Sequence, residues 1–155
     1  MEIARFYRDD PLAPKPNHRT HLGANGILTW NGRLLLEKRR DSDLWGLIGG
    51  GVKSWETEEQ AMAREVYEEL GLRIRPQAFR RLKVYGEPGR IAAFRDGTVW
   101  RMVIVVFGLE FPEKPELRIS EESRALRFFS PEELRHVPIA VTHSDIVEEQ
   151  FLHIR

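Results

Sequence analysis

The stretch from Gly50 to Leu72 leaves this chain little choice of local structure. Gly49, Gly50 and Gly51 run into a short loop, and Thr57, followed three residues later by Gln60, has the form of a capping box. Glu58 and Glu59 fall in the first turn, where the helix dipole favours negative charge, and Gly71 supplies a left-handed stop. The spacing predicts a helix over residues 58–70. At about 100° per residue, Met62, Val66 and Leu70 form one apolar stripe, with Glu65, Glu68 and Glu69 within an arc of about 100° beside it. The acids therefore flank the seam that the helix must bury.

Like charges four residues apart, here Glu65 and Glu69, cost a helix a few tenths of a kcal/mol in water and more where they lose solvent. A compensating cation is expected. Arg64 is one candidate, although helical geometry puts it on a different part of the surface; a hard divalent ion that takes several carboxylate oxygens is the better one. A solvated acidic face remains the alternative from the helix alone.

Gly50, Glu56 and the run Arg64-Glu65-Val66-Tyr67-Glu68-Glu69-Leu70-Gly71-Leu72 together resemble the signature of the Nudix hydrolases, with every defining position filled. The resemblance implies an α+β domain, an α/β/α sandwich whose central mixed sheet is flanked by helices. It also implies hydrolysis of a phosphoanhydride in a nucleoside diphosphate linked to another moiety, ADP-ribose or a nucleotide sugar, with Mg2+ as cofactor and Mn2+ as substitute. Glu65, Glu68 and Glu69 would hold metal with the Gly49 carbonyl; Arg64 would hold the acids in place and Glu56 would brace the loop. The general base would be Glu65 or a glutamate of a later loop, Glu122 or Glu121. A nucleoside triphosphate substrate and a non-catalytic nucleotide sensor remain alternatives, although sensors of this fold commonly lose the carboxylates kept here.

Two departures from the family pattern stand beside the signature. Ile48 replaces a proline common before the glycines, and Ser54-Trp55 replaces a Pro-Gly pair common before the glutamate. They bear on loop shape and substrate preference. Pro88, beyond the signature, resembles a marker of the ADP-ribose-cleaving branch, and Glu87-Pro88-Gly89 is equally a good turn.

The rest of the chain bounds the reading. Its 155 residues suffice for one domain with a real core, and the expected division is an extended lead-in over 1–17 and one domain over 18–155. With 24 basic and 24 acidic residues the formal net charge is zero, so a surface built for nucleic acid is not expected. There is no cysteine, which removes disulfides and thiolate chemistry. The longest apolar run, Met102 to Phe107, is too short to span a bilayer, so a cytoplasmic protein with a small nucleotide substrate and no membrane partner is expected. Family resemblance admits a homodimer.

Strands are expected over 24–30 and 33–37, joined at Asn31-Gly32, and over 79–85, 91–94, 98–107 and 125–129, with a second hairpin turn at Asp96-Gly97. Ser130 and Glu133 form another capping box, and a last helix over about 143–152 would pack Val147, Gln150, Phe151 and Ile154. Arg39 is a candidate phosphate contact at a strand end, as are Gly50, Gly51 and Pro88 for substrate. Between Arg73 and Arg101 eight basic residues face only Glu87 and Asp96, which suits either a polyanionic ligand or solvated strand faces. The five histidines lack ligand spacing and read as structural or solvated.

Overall fold

The computed structural model describes residues 4–40 and 42–153. Nine strands form a mixed sheet: β1 Arg5–Arg8, β2 His21–Trp30, β3 Arg33–Arg39, β4 Trp45–Gly46, β5 Ile48–Gly51, β6 Arg80–Tyr85, β7 Arg90–Ala93, β8 Val99–Phe111 and β9 Ser123–Phe129. The helices are α1 Glu58–Leu70, α2 Pro131–Leu134 and α3 Val141–Val147, which continues over Glu148–Leu152 as a wider π turn.

β2 is the hub. It runs parallel to β8 from the His21–Met102 pair to the Trp30–Phe111 pair, turns at Asn31-Gly32 into β3, and pairs antiparallel with β5. Asn31 and Gly32 both have positive φ, which a tight hairpin turn with the strands' twist requires. The parallel partner explains why β8 runs on to Phe111, beyond the apolar run that announced it.

Successive strand residues alternate between two cores. Ala24, Leu28, Leu35, Val105 and Phe107 face α1, where Met62, Val66 and Leu70 meet them. Ile27, Leu34, Leu36, Ile104 and Val106 face the other way, against Leu134 of α2 and Ile146 and Val147 of α3. Ile104 to Gly108 are buried on both faces, whereas Met102 and Val103 at the head of the expected run are only half buried. Helices on both faces of a mixed sheet give the α/β/α layering.

Two sequence expectations need revision, and the basic stretch divides. Part of the lead-in, Arg5–Arg8, is an edge strand paired with β7, because β7 would otherwise offer an open row of backbone groups. The last helix starts at Val141, two residues early, and buries Thr142, Ile146 and Val147; Gln150 and Phe151 are half buried and Ile154 lies outside the described residues. Part of the basic stretch is neutralised within the fold: Arg81 pairs with Glu58, Lys83 with Glu149, and buried Arg90 makes a two-pronged contact with Asp145.

Candidate metal and phosphate site

The α1 helix is closed at both ends as its sequence demands. Thr57 and Gln60 make both bonds of the capping box, and the Gly71 amide, at φ 74°, donates to the Tyr67 carbonyl. This fixes the rotation of the helix. Ala61, Met62, Val66 and Leu70 go to the core, and the same rotation carries Glu65 and Glu69 under the glycine strand β5.

The approach is so close that a side chain on either glycine would displace a neighbour. A Cβ on Gly50 would lie 2.4 Å from Oε1 of Glu65, and one on Gly49 would lie 2.1 Å from the Ala24 carbonyl oxygen, at a φ of 151°. The Gly49 amide donates to Oε2 of Glu69 at 3.0 Å, and the buried side chain of Asn25 approaches the Leu47 and Ile48 carbonyls from β2.

Arg64 reaches the acids after all. Its Nε and Nη2 donate to the two oxygens of Glu56 at 3.0 and 2.7 Å, Nη2 also to the Gly51 carbonyl at 2.8 Å, and Nη1 to Glu65 and Glu68 at 2.9 and 3.2 Å. The length of the side chain lets the guanidinium fold back across the loop, so angular position on the helix misjudged its reach. Glu56 in turn accepts from the Lys53 amide, which closes the loop between strand and helix. The hydrogen bond from Arg64, helped by that from the Lys53 amide, outweighs the opposing push of burial and leaves the Glu56 carboxyl below its usual range.

The carboxylates differ in setting. Glu68 is exposed; Glu65 and Glu69 are buried, Glu69 to 2%. Burial pushes the Glu65 carboxyl up, against the pull of Arg64, with Glu68 and Glu122 adding to the rise. Burial pushes Glu69 well up, with Glu37 and Glu65 as like-charged neighbours. Glu37 was not singled out from sequence. It sits on β3 at 1% exposure and accepts from the Ser123 hydroxyl at 2.7 Å. An alternating strand pattern hides such a residue, because nothing local shows which face its side chain takes.

An all-oxygen donor set of buried carboxylates, with a glycine backbone pressed against them, fits a hard divalent cation. Among the described residues no three acidic or histidine side chains already converge on one point, because Arg64 stands between Glu65 and Glu68. The residues that could hold metal are therefore Glu65, Glu68 and Glu69, with the Gly49 carbonyl, once that guanidinium contact yields.

The remaining candidates divide. Arg39 borders a cavity of about 170 Å³ with Gly49, Gly50 and Gly51, and lies 3.5 Å from Glu37. Glu122 is exposed on the loop before β9, close enough to Glu65 to shift it. Pro88 is not brought to this site: it lies in the turn before β7, in a groove against Asp9, Pro11 and Pro14 of the N-terminal segment. The sequence also gave no warning of His143, whose Nδ1 accepts from the Leu47 amide at 3.1 Å, or of the stacked His21–Trp100 pair beside Gly51.

Fold and site together define a layered α/β/α protein with a carboxylate helix pressed against a glycine strand. The chain belongs to the NUDIX domain family, whose pattern matches residues 19–150. It is 32% identical over 111 residues to a MutT-like protein of Streptomyces ambofaciens, covering 72% of this chain and 64% of that protein, so it spans just under two thirds of that relative's length. It is 29% identical to an ADP-ribose pyrophosphatase of Methanocaldococcus jannaschii, covering 83% of this chain and 71% of that one. Among solved structures, the NUDIX domain of Shewanella oneidensis NrtR, complexed with ADP ribose, superposes with a TM-score of 0.69 at 19% identity, covering 93% of this chain and 92% of that chain. No helix among the described residues is long and apolar enough to cross a membrane.

Proposed function

We propose that this protein is a divalent-metal-dependent pyrophosphohydrolase that cleaves the phosphoanhydride of a nucleoside diphosphate linked to a further group, with ADP-ribose the first substrate to test. The observation that carries the reading is the seating of Glu65 and Glu69 under Gly49 and Gly50, closer than any side chain on Gly50 would allow. The relative named for ADP-ribose hydrolysis supports the choice of substrate.

Bound Mg2+ or Mn2+ would neutralise phosphate oxygens and raise the acidity of water. The chain's own groups do the rest. Arg64 keeps Glu56 and the Gly51 carbonyl of the loop in place while its contact with Glu65 and Glu68 gives way to the cation, and Arg39, bordering the glycine strand, would meet a phosphate oxygen. Water adds to one phosphorus as the bridging oxygen leaves with the other phosphate. Glu65 would take the proton, with Glu122, exposed on the loop before β9, as the alternative base. Clustered carboxylates titrate as a set, so the base is assigned by substitution and not by one pKa.

The test is hydrolysis of ADP-ribose, nucleotide sugars and nucleoside triphosphates with Mg2+ or Mn2+. AMP with ribose 5-phosphate is the expected product pair from ADP-ribose. Release of pyrophosphate from triphosphates alone would replace this substrate class with the nucleotide-pool one, and tight binding without any product would make the protein a sensor.

A further inference from the structure

The loop between Gly51 and Glu56 carries a feature that metal and phosphate chemistry does not use. Trp55 is 77% exposed, with the Lys53 ammonium 5.5 Å from its ring. A single exposed indole is ordinary, but this one lines a cleft of about 690 Å³ together with Lys53, Arg19, His21 and Trp100, and the cleft floor reaches Arg64 and Glu65.

The side of the cleft formed by Trp100 is rigid and aromatic. His21 stacks on Trp100 with ring centroids 4.5 Å apart and planes 9° apart, and Phe94 meets the indole edge-on at 5.3 Å. This wall is keyed to the glycine strand, since a Cβ on Gly51 would come within 2.9 Å of His21 Nε2. Burial and the Arg19 charge hold the His21 imidazole below its usual range, so the stack is neutral at physiological pH. Arg19 and Lys53 lie at the rim, and the one carboxylate in the lining is Glu65.

We propose that this cleft is the base subsite: the exposed face of Trp55 stacks on the nucleobase of the substrate, and the His21–Trp100 pair forms the opposite wall. The proposal rests on the pyrophosphohydrolase reading and adds where the nucleoside lies. The cleft is preferred to the neighbouring cavity of about 170 Å³ at Arg39, because an apolar cavity of about 150 Å³ takes a benzene ring and no attached sugar. The cations at the rim suit the phosphate end of the same ligand, and an aromatic face suits its flat end.

The four tryptophans make the test direct. In metal-free protein with chelator, AMP should shift the indole N–H resonances of Trp55 and Trp100 and leave Trp30 and Trp45 in place, and ribose 5-phosphate should not reproduce the shifts. Trp55→Ala should weaken AMP binding and raise KM about ten-fold with kcat changed less than about two-fold, and Trp55→Phe should restore most of the loss. Trp100→Phe gives a folded second variant where Trp100→Ala does not fold. Equal shifts from ribose 5-phosphate, an unchanged AMP affinity in Trp55→Ala, or a Trp55 signal that moves with protein concentration alone would each overturn the assignment. Loss of the function reading is separate: it appears as absence of hydrolysis in wild type, whatever AMP does to the indoles.

Discussion

The Gly49 amide and the Glu69 carboxylate are joined at 3.0 Å, which ties the last acid of α1 to the strand above it with the carboxyl almost wholly out of water. Without a metal that position is costly, because Glu37 and Glu65 add their charge to the loss of solvent. A glutamine keeps an acceptor for the Gly49 amide and drops the charge.

Glu69→Gln should therefore fold as well as wild type or better in chelator, yet lose metal affinity and activity by more than the roughly 10-fold that loss of a ligand's outer partner costs. The sign follows from linkage. A carboxyl raised in the folded state stabilises below its unfolded value and loses that contribution as pH climbs through the raised one, so metal-free wild type should weaken toward neutral and alkaline pH. Urea unfolding in chelator across pH reads this directly; an equally steep decline in Glu69→Gln would exclude Glu69 as its source. Exposed Glu68 has no such burden, and Glu68→Gln should lose activity with no gain in stability.

The two neighbouring glycines should fail in different ways. On Gly50 a methyl group meets the flexible end of Glu65, so Gly50→Ala should fold with a stability change within about 1 kcal/mol while activity collapses through displacement of that carboxylate. On Gly49 it meets the Ala24 carbonyl and Asn25 backbone at a φ of 151°, where neither side can yield. Gly49→Ala should be recovered poorly or with a markedly lower Tm. Equal thermal stability of the two variants would contradict this division.

What could be read from the sequence was what is local. Thr57, Gln60 and Gly71 fix α1 to the residue, and Asn31-Gly32 and Asp96-Gly97 mark two turns, because each device acts between residues a few positions apart. The site beneath was only half legible. Glu65, Glu68 and Glu69 stand out on a helix, but Glu37 of β3, the like-charged neighbour of Glu69, gains its Ser123 partner through the β3–β9 pairing, and His21 meets Trp100 through the parallel β2–β8 pairing. Both are contacts between strands far apart in the chain, and no period or spacing announces them. Reach misled in the same way at Arg64, where a flexible side chain crosses the loop that a helical wheel leaves out.

Arg64 should not be replaceable by lysine. One guanidinium serves Glu56, Glu65, Glu68 and the Gly51 carbonyl, and a single ammonium has neither the planar fork nor the number of donors for four acceptors. Arg64→Lys should cost about 2 kcal/mol in urea unfolding and reduce kcat more than KM. The loss should be coupled to Glu56: once Glu56→Gln is present, adding Arg64→Lys should cost less than it does alone, and strictly additive losses would mean that the pair acts independently.

His143 should make the protein sensitive to mild acid from the opposite side of the glycine strand. Its Nδ1 accepts from the Leu47 amide, so that nitrogen must stay unprotonated for the bond to form. Burial first, then the charges of Arg39 and Arg90, hold the imidazole down to about 4 from 6.5, with Asp145 pulling the other way. The unfolded chain thus binds the extra proton between those values, and stability present above pH 6.5 is lost as pH falls toward about 4. A difference of that size is worth about 3 kcal/mol at most. In urea unfolding from pH 7 to pH 4.5, wild type should lose stability relative to His143→Gln, whose amide oxygen can still accept a hydrogen bond without titrating. Parallel declines would show that the acid sensitivity arises from other groups.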